Sequence, residues 1–207
     1  MRTIVALTLL ALPATAAAQP GMTPYYAQPP MAAPVAVEPK LRLELSLGAA
    51  SPKGDWKDQL AADTSPALGL QLGFTVAPNV SVFGGFRYVN VKFQDTAIDG
   101  GAVPADLELS HRELQLGLRF MSPISPSAKF FVEGHVHSAT IAASYQGQTD
   151  SESGLGLGGR GGVVFMVDRK IGLGAAVSYS SADIEIDQTE SFADTWLGFD
   201  GFLSFWF

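Results

Sequence analysis

Apolar and non-apolar side chains alternate with period two over most of this chain, and that alternation constrains its fold more than any other feature. Leu41, Leu43, Leu45 and Leu47 alternate with Arg42, Glu44, Ser46 and Gly48. Leu68, Leu70, Leu72, Phe74 and Val76 alternate with Gly69, Gln71, Gly73 and Thr75. Leu114 to Phe120, Leu155 to Val167 and Ile171 to Tyr179 read the same way. Successive side chains of a strand point to opposite faces, so each stretch has one apolar face and one small or polar face. No stretch sustains a 3.6-residue period. The fold class is therefore all-β, with eight strands predicted over 40–50, 66–77, 80–93, 106–121, 128–144, 155–167, 171–182 and 194–207.

The predicted connections alternate in length. Pro78-Asn79, Ser122 to Ser127 and Asp168 to Lys170 are short, whereas 51–65, 94–105, 145–154 and 183–193 are long. An antiparallel up-and-down meander with tight turns at one end and long loops at the other is the pattern of a transmembrane β-barrel. Shared among eight strands, residues 40–207 leave about 21 each, whereas a sixteen-stranded porin would be left with bare spans and no loops.

The chain is 47% hydrophobic and only 16% charged, which decides the faces. In a soluble, lipocalin-like carrier the leucine rows would have to fill an eight-stranded interior that barely holds side chains. A glycine-rich face with few charges would then meet water. The inverse arrangement accommodates both faces, with leucines and aromatics toward lipid. Arg42, Arg87, Arg119 and Arg160 then share a lumen with Glu44, Glu113, Glu133 and Asp200. Buried charges are tolerable only when paired and hydrogen-bonded, so a polar, plugged lumen is expected. Apolar parity changes near Tyr88–Asn90 and Ser110–Arg112, where a bulge or an exit from the membrane is expected.

Residues 1–18 read as a signal peptide: a basic start at Arg2, an apolar Ile4 to Leu12, and small residues up to Ala18. Residues 19–39 hold six prolines and one charge, Glu38, and read as a flexible linker. The barrel domain is 40–207. With no cysteine, a disulfide framework, a thiolate metal site and a lipoprotein anchor are excluded. A net charge of −7 argues against nucleic acid as a partner.

The last strand carries the most specific pattern. Leu203, Phe205 and Phe207 continue an alternating apolar row that ends on an aromatic residue. This resembles the C-terminal assembly signal of bacterial outer-membrane barrels. With the signal peptide, strand count and turn pattern, Lys40 to Phe207 resembles the eight-stranded OmpA/OmpX-like family. The resemblance implies outer-membrane insertion through the barrel-assembly machinery, both termini and the linker 19–39 in the periplasm, and a monomer. The peptidoglycan-binding domain of the OmpA pattern does not follow, so a tethering role is not implied.

Sites with chemistry are few. Gly156-Leu157-Gly158-Gly159-Arg160-Gly161 matches a dinucleotide-binding spacing, but Val163 to Val167 continues as strand where a helix is needed. Glu133, His135 and His137 share one face and could form a metal or acid-base cluster, but residues two apart on a strand lie about 7 Å apart. Lumen polarity is the preferred reading. A lipid A-modifying enzyme of the His-x-Ser type is not matched, because His137 and Ser138 are adjacent and so face opposite ways. No cofactor is expected. The long connections, with Asp194 at their edge, carry twelve acids against Lys53 and Lys57. Asp183, Glu185, Asp187 and Glu190 are the candidates for divalent-cation contact with lipopolysaccharide. The expected role is a structural or surface-interaction barrel. A narrow pore for small solutes is the alternative.

Overall fold

The computed structural model describes residues 40–58, 62–93, 107–187 and 190–207. In chain order its elements are β1 (Leu41–Lys53), α1 (Asp55–Asp58), β2 (Ala62–Asp63), β3 (Ser65–Ala77) and β4 (Val80–Phe93). β5 (Glu108–Ser125), β6 (Ala128–Tyr145), β7 (Gln148–Met166), β8 (Ile171–Asp187) and β9 (Glu190–Trp206) follow. The eight long strands form one antiparallel meander, and β1 pairs with β9 to complete the ring. β2 adds a two-residue pair, Ala62↔Phe93 and Asp63↔Lys92, at the far end of β4. A closed ring leaves no unpaired strand edge, which is what hydrocarbon requires of a spanning sheet. Among the described residues no helix is long and apolar enough to cross a membrane. The expected signal peptide at 1–18, the segment 19–39 and the expected long connection 94–105 with Asp95 and Asp99 lie outside the described residues.

The apolar faces point outward. Leu114, Leu116 and Leu118 are 67%, 60% and 57% exposed, while their neighbours Glu113 and Arg119 are buried. This excludes the soluble-carrier reading, which needs these leucines inside. Toward the end bearing α1 the pattern inverts. Val89, Val91, Leu109, Ala139, Ile184 and Phe192 point inward and are buried, whereas Asn90, Lys92 and Arg112 are exposed. The β4–β5 register runs unbroken from Val80↔Phe120 to Val91↔Leu109. The parity change is therefore the exit from the lipid band, not a bulge. Above it, water rather than lipid surrounds the wall, so the apolar side turns in.

Two of the expected long loops are not loops. β6 and β7 run through 145–154 and join at Gln146-Gly147, both with positive φ (49° and 81°). That is the conformation a two-residue hairpin turn matching strand twist demands. β8 and β9 likewise extend through 183–193, leaving only 188–189 between them. Asp183, Glu185, Asp187 and Glu190 therefore lie on strands, Asp183 opposite Ala193 and Asp187 opposite Glu190. The side chains of Asp183 and Glu185 are exposed, and those of Asp187 and Glu190 lie outside the described residues. Turn-poor, polar sequence hid these extensions. On β6, seven residues beyond Ser138 project about 23 Å at roughly 3.3 Å each. At the opposite end, β5 runs on to Ser125, with a register shift at Pro123.

Candidate functional site: a filled lumen and a capped outer mouth

The inward residues of β6 give the layers of the lumen in order. Ala143, Ile141 and Ala139 come first, then His137, His135 and Glu133, then Phe131, and finally Lys129 at the opposite mouth. Each layer is completed by residues that the register brings to the same height.

The middle layer is ionic. Glu44 on β1 accepts from Arg119 Nη1 at 2.8 Å and from Arg160 Nη1. Glu133 accepts from Arg119 Nε and lies 3.7 Å from Arg160 Nη1 and 3.9 Å from Arg42 Nη2. Gln71 Oε1 accepts from Arg42 Nη2 at 2.6 Å and Arg119 Nη2 at 2.9 Å. Asp200 stands 3.8 Å from Arg160 Nε and 4.0 Å from Arg87 Nη2. Close approach of the Arg42 guanidinium requires glycine at position 73, where a Cβ would lie 2.9 Å from Nη2. The arginines rest on an aromatic layer: Arg119 lies 4.2 Å above Phe131 and Arg160 4.8 Å above Phe202. That layer, with Met121, Val164 and Ala176, closes the lumen from below. The space left among Glu44, Gln71, Arg87, Arg160, Ser178 and Asp200 is about 30 Å³, one water's volume.

Glu113 departs from the expected set. No arginine pairs with it among the described residues. It accepts instead from Ser180 Oγ and Gln115 Nε2, each at 2.6 Å, and lies 3.1 Å from His111 Nε2. His111 Nδ1 is 3.2 Å from Asp194 Oδ1. The same carboxylate accepts from Trp56 Nε1 at 2.5 Å and Trp196 Nε1 at 2.7 Å. Asp194 was expected among the loop acids, yet it is buried inside the barrel. Trp56 sits on α1, the short helix after β1. Asp55 Oδ2 anchors α1 by accepting from the Ala193 amide at 2.7 Å. Trp56 is fully buried against His111, Phe192 and Trp196 and closes the mouth of the lumen at the α1 end. The sequence clue to this cap is one tryptophan among the charges of 51–65.

The remaining candidates resolve simply. Gly156 to Gly161 lies within β7, with strand on both sides. His135 and His137 face the lumen, their ring centroids 5.5 Å apart. Glu133 turns to the arginines instead. Among the described residues no group of three or more His, Cys, Asp or Glu is placed to hold a metal ion. On β9, Leu203 and Phe205 are half-buried on the outer surface and Phe207 is 70% exposed.

A closed ring with a lipid-facing leucine coat and an ionic interior defines an integral outer-membrane barrel. The chain matches the family described as "Outer membrane protein beta-barrel domain" over residues 3–200, and it belongs to that family. It is similar in fold to the solved Neisserial surface protein A, at 9% identity and a TM-score of 0.60, covering 81% of this chain and 96% of that one. It is also similar to Ail, the attachment invasion locus protein of Yersinia pestis, at 14% identity and a TM-score of 0.51, covering 82% and 98%. Among curated proteins none matches. The protein resides in the bacterial outer membrane.

Proposed function

We propose that this barrel is a non-conducting, non-enzymatic surface protein, whose working part is the β-wall that rises above the lipid. The observation that carries this reading is the lumen, filled in three successive layers by the Trp56 cap, the arginine–carboxylate cluster and the Phe131–Phe202 layer. A pore needs a continuous aqueous path, and the ionic layer leaves room for about one water. Among the described residues, no nucleophile and base lie within hydrogen-bond reach in a pocket open to the surface, as a lipid-modifying enzyme would require; Ser180, Glu113 and His111 are buried in the lumen. The attachment role in the name of Ail, a protein of the same fold, accords with a role in surface contact.

Residues 1–18 and 19–39 are assigned as export signal and periplasmic linker. The outward row Leu203, Phe205 and Phe207 is assigned as the signal for the assembly machinery.

Planar-bilayer recording tests the plug. The folded protein is expected to give no steady conductance, and stepwise channel openings would overturn the reading. Glu44→Gln combined with Trp56→Ala, which loosens two of the three layers, is expected to give flickering openings.

The exposed acids Asp183 and Glu185 give the β8 side of the projecting wall its negative charge. Oxygen ligands of this kind suit Ca²⁺ or Mg²⁺ bridges to the phosphates of lipopolysaccharide. Calorimetry of chelator-treated, folded barrel is expected to show heat on adding Ca²⁺, reduced in Asp183→Asn/Glu185→Gln. Absence of heat removes this contact.

A further inference from the structure

The lipid-facing surface is not uniform. Between β5 and β7 the register sets three rows across the wall: Leu114↔Ser138↔Leu155, Leu116↔Val136↔Leu157 and Leu118↔Gly134↔Gly159. All these positions face outward. The leucines of β5 and β7 stand as two ridges, with Leu155 81% exposed. β6 between them offers only Ser138, Val136 and Gly134, and nothing lies within 4 Å of where a Gly134 Cβ would be. The resulting groove is shallow and open along its length, with a volume of about 730 Å³.

One row nearer the outer mouth, the same three strands place Arg112↔Thr140↔Ser153 across the wall. Arg112 is exposed and takes part in none of the ion pairs among the described residues. Its outward neighbours are Tyr88, Thr140, Ser110 and Leu114, none of them acidic. On its own strand the next residue, Glu113, points into the lumen, and the nearest outward-facing acid is Glu108, about 13 Å along the strand. Thr140 Oγ1 and Ser153 Oγ lie 2.9 Å apart beside it. A guanidinium next to two hydroxyls, at the level where the wall leaves the lipid, is phosphate-binding chemistry. The apolar groove runs directly below. Head and tail sites are thus aligned along one strand.

We propose that this face seats one lipopolysaccharide molecule. One of its acyl chains lies between the leucine ridges, which stand about 10 Å apart, and a lipid A phosphate is held by Arg112, Thr140 and Ser153. The site borders the acidic β8 surface, since Leu155 pairs with Asp183, but it needs no cation and does not depend on a closed lumen, so its failure would leave the reading above intact.

Native mass spectrometry of detergent-folded barrel tests this with three probes: bisphosphorylated lipid A, the same lipid A stripped of phosphate, and phosphatidylglycerol. One bisphosphorylated lipid A is expected to be retained per barrel. Retention should fall about tenfold for the stripped form and for Arg112→Gln, as for loss of one charge-assisted contact. Ser138→Leu, which fills the groove floor and leaves the phosphate contact, should lower it too, whereas Leu173→Ala on β8 should not. A heat-induced gel shift establishes that each variant is folded. Equal retention of phosphatidylglycerol, or retention unchanged by both Arg112→Gln and Ser138→Leu, would overturn the proposal.

Discussion

Glu44→Gln is expected to destabilise the folded barrel by about 3–5 kcal/mol, the range for breaking a buried ion pair from one side. Glu44 is shared by Arg119 and Arg160, with Arg42 Nε at 3.9 Å. Removing its charge leaves these three buried guanidiniums, together with Arg87, to divide Glu133 and Asp200. The cost is not the lost attraction alone: each arginine was brought out of water on condition of being paired. Equilibrium unfolding in urea from phospholipid vesicles measures the loss. A second comparison separates pairing from packing. Glu44→Met/Arg160→Met removes one charge of each sign and replaces them with apolar bulk, so it should cost less than Glu44→Gln alone. If the double variant is the less stable of the two, the carboxylate is not acting through charge balance.

Asp194→Ala is expected to be nearly as severe, about 3 kcal/mol or more, and its effect should be local to the outer mouth. One carboxylate oxygen accepts from both indoles, Trp56 and Trp196, and lies 3.2 Å from His111 Nδ1. Truncation strands buried donors at about 1–3 kcal/mol each. α1 loses the bond that holds Trp56 inside, so the indole should swing into water. A red shift of tryptophan emission and increased acrylamide quenching would report the release. Trp56→Phe in the Asp194→Ala background should abolish most of that change, because Trp206 lies at the far mouth. Unaltered emission in Asp194→Ala would show that apolar packing against Phe192 and Trp196 holds the cap by itself.

These two sites were not equally legible in the sequence. Glu44, Arg119, Glu133, Arg160 and Asp200 sit on alternating positions, and parity alone sends them into the lumen. Which pairs with which depends on register and shear, and neither is written locally. Glu113 illustrates this: its parity is the expected one, yet its partners are His111, Ser180 and Gln115. Gln71 passed unnoticed because it is uncharged, although it bridges two arginines. Asp194 was misread for a different reason. It belongs to an acid-rich stretch, and composition there suggested a solvated loop. The stretch is strand, and above the lipid band the inward face is apolar with a few polar anchors. The parity change at Tyr88–Asn90 and Ser110–Arg112 was the visible trace of this inversion. Its cause, a change of surroundings from lipid to water along one continuous strand, became clear only from the unbroken pairing of β4 with β5.

Single strands are patterned for lipid along one part and for water along the next: the same face stays buried throughout, and the apolar residues switch from the outer to the inner face between the two parts. Because the chain has no cysteine, it can be labelled at one site at a time without a background mutation. Nitroxide labels placed by single cysteine substitutions at each position from Leu109 to Phe120, in barrels folded into bilayers, test this patterning. Collision with oxygen reports lipid, and collision with a water-soluble nickel complex reports solvent. Positions 114, 116, 118 and 120 are predicted to show the oxygen maxima, positions 110 and 112 the nickel maxima, and the odd-numbered positions shielding from both. Oxygen maxima at Glu113, Gln115 and Arg119, or oxygen-accessible labels continuing through 110 and 112, would contradict it.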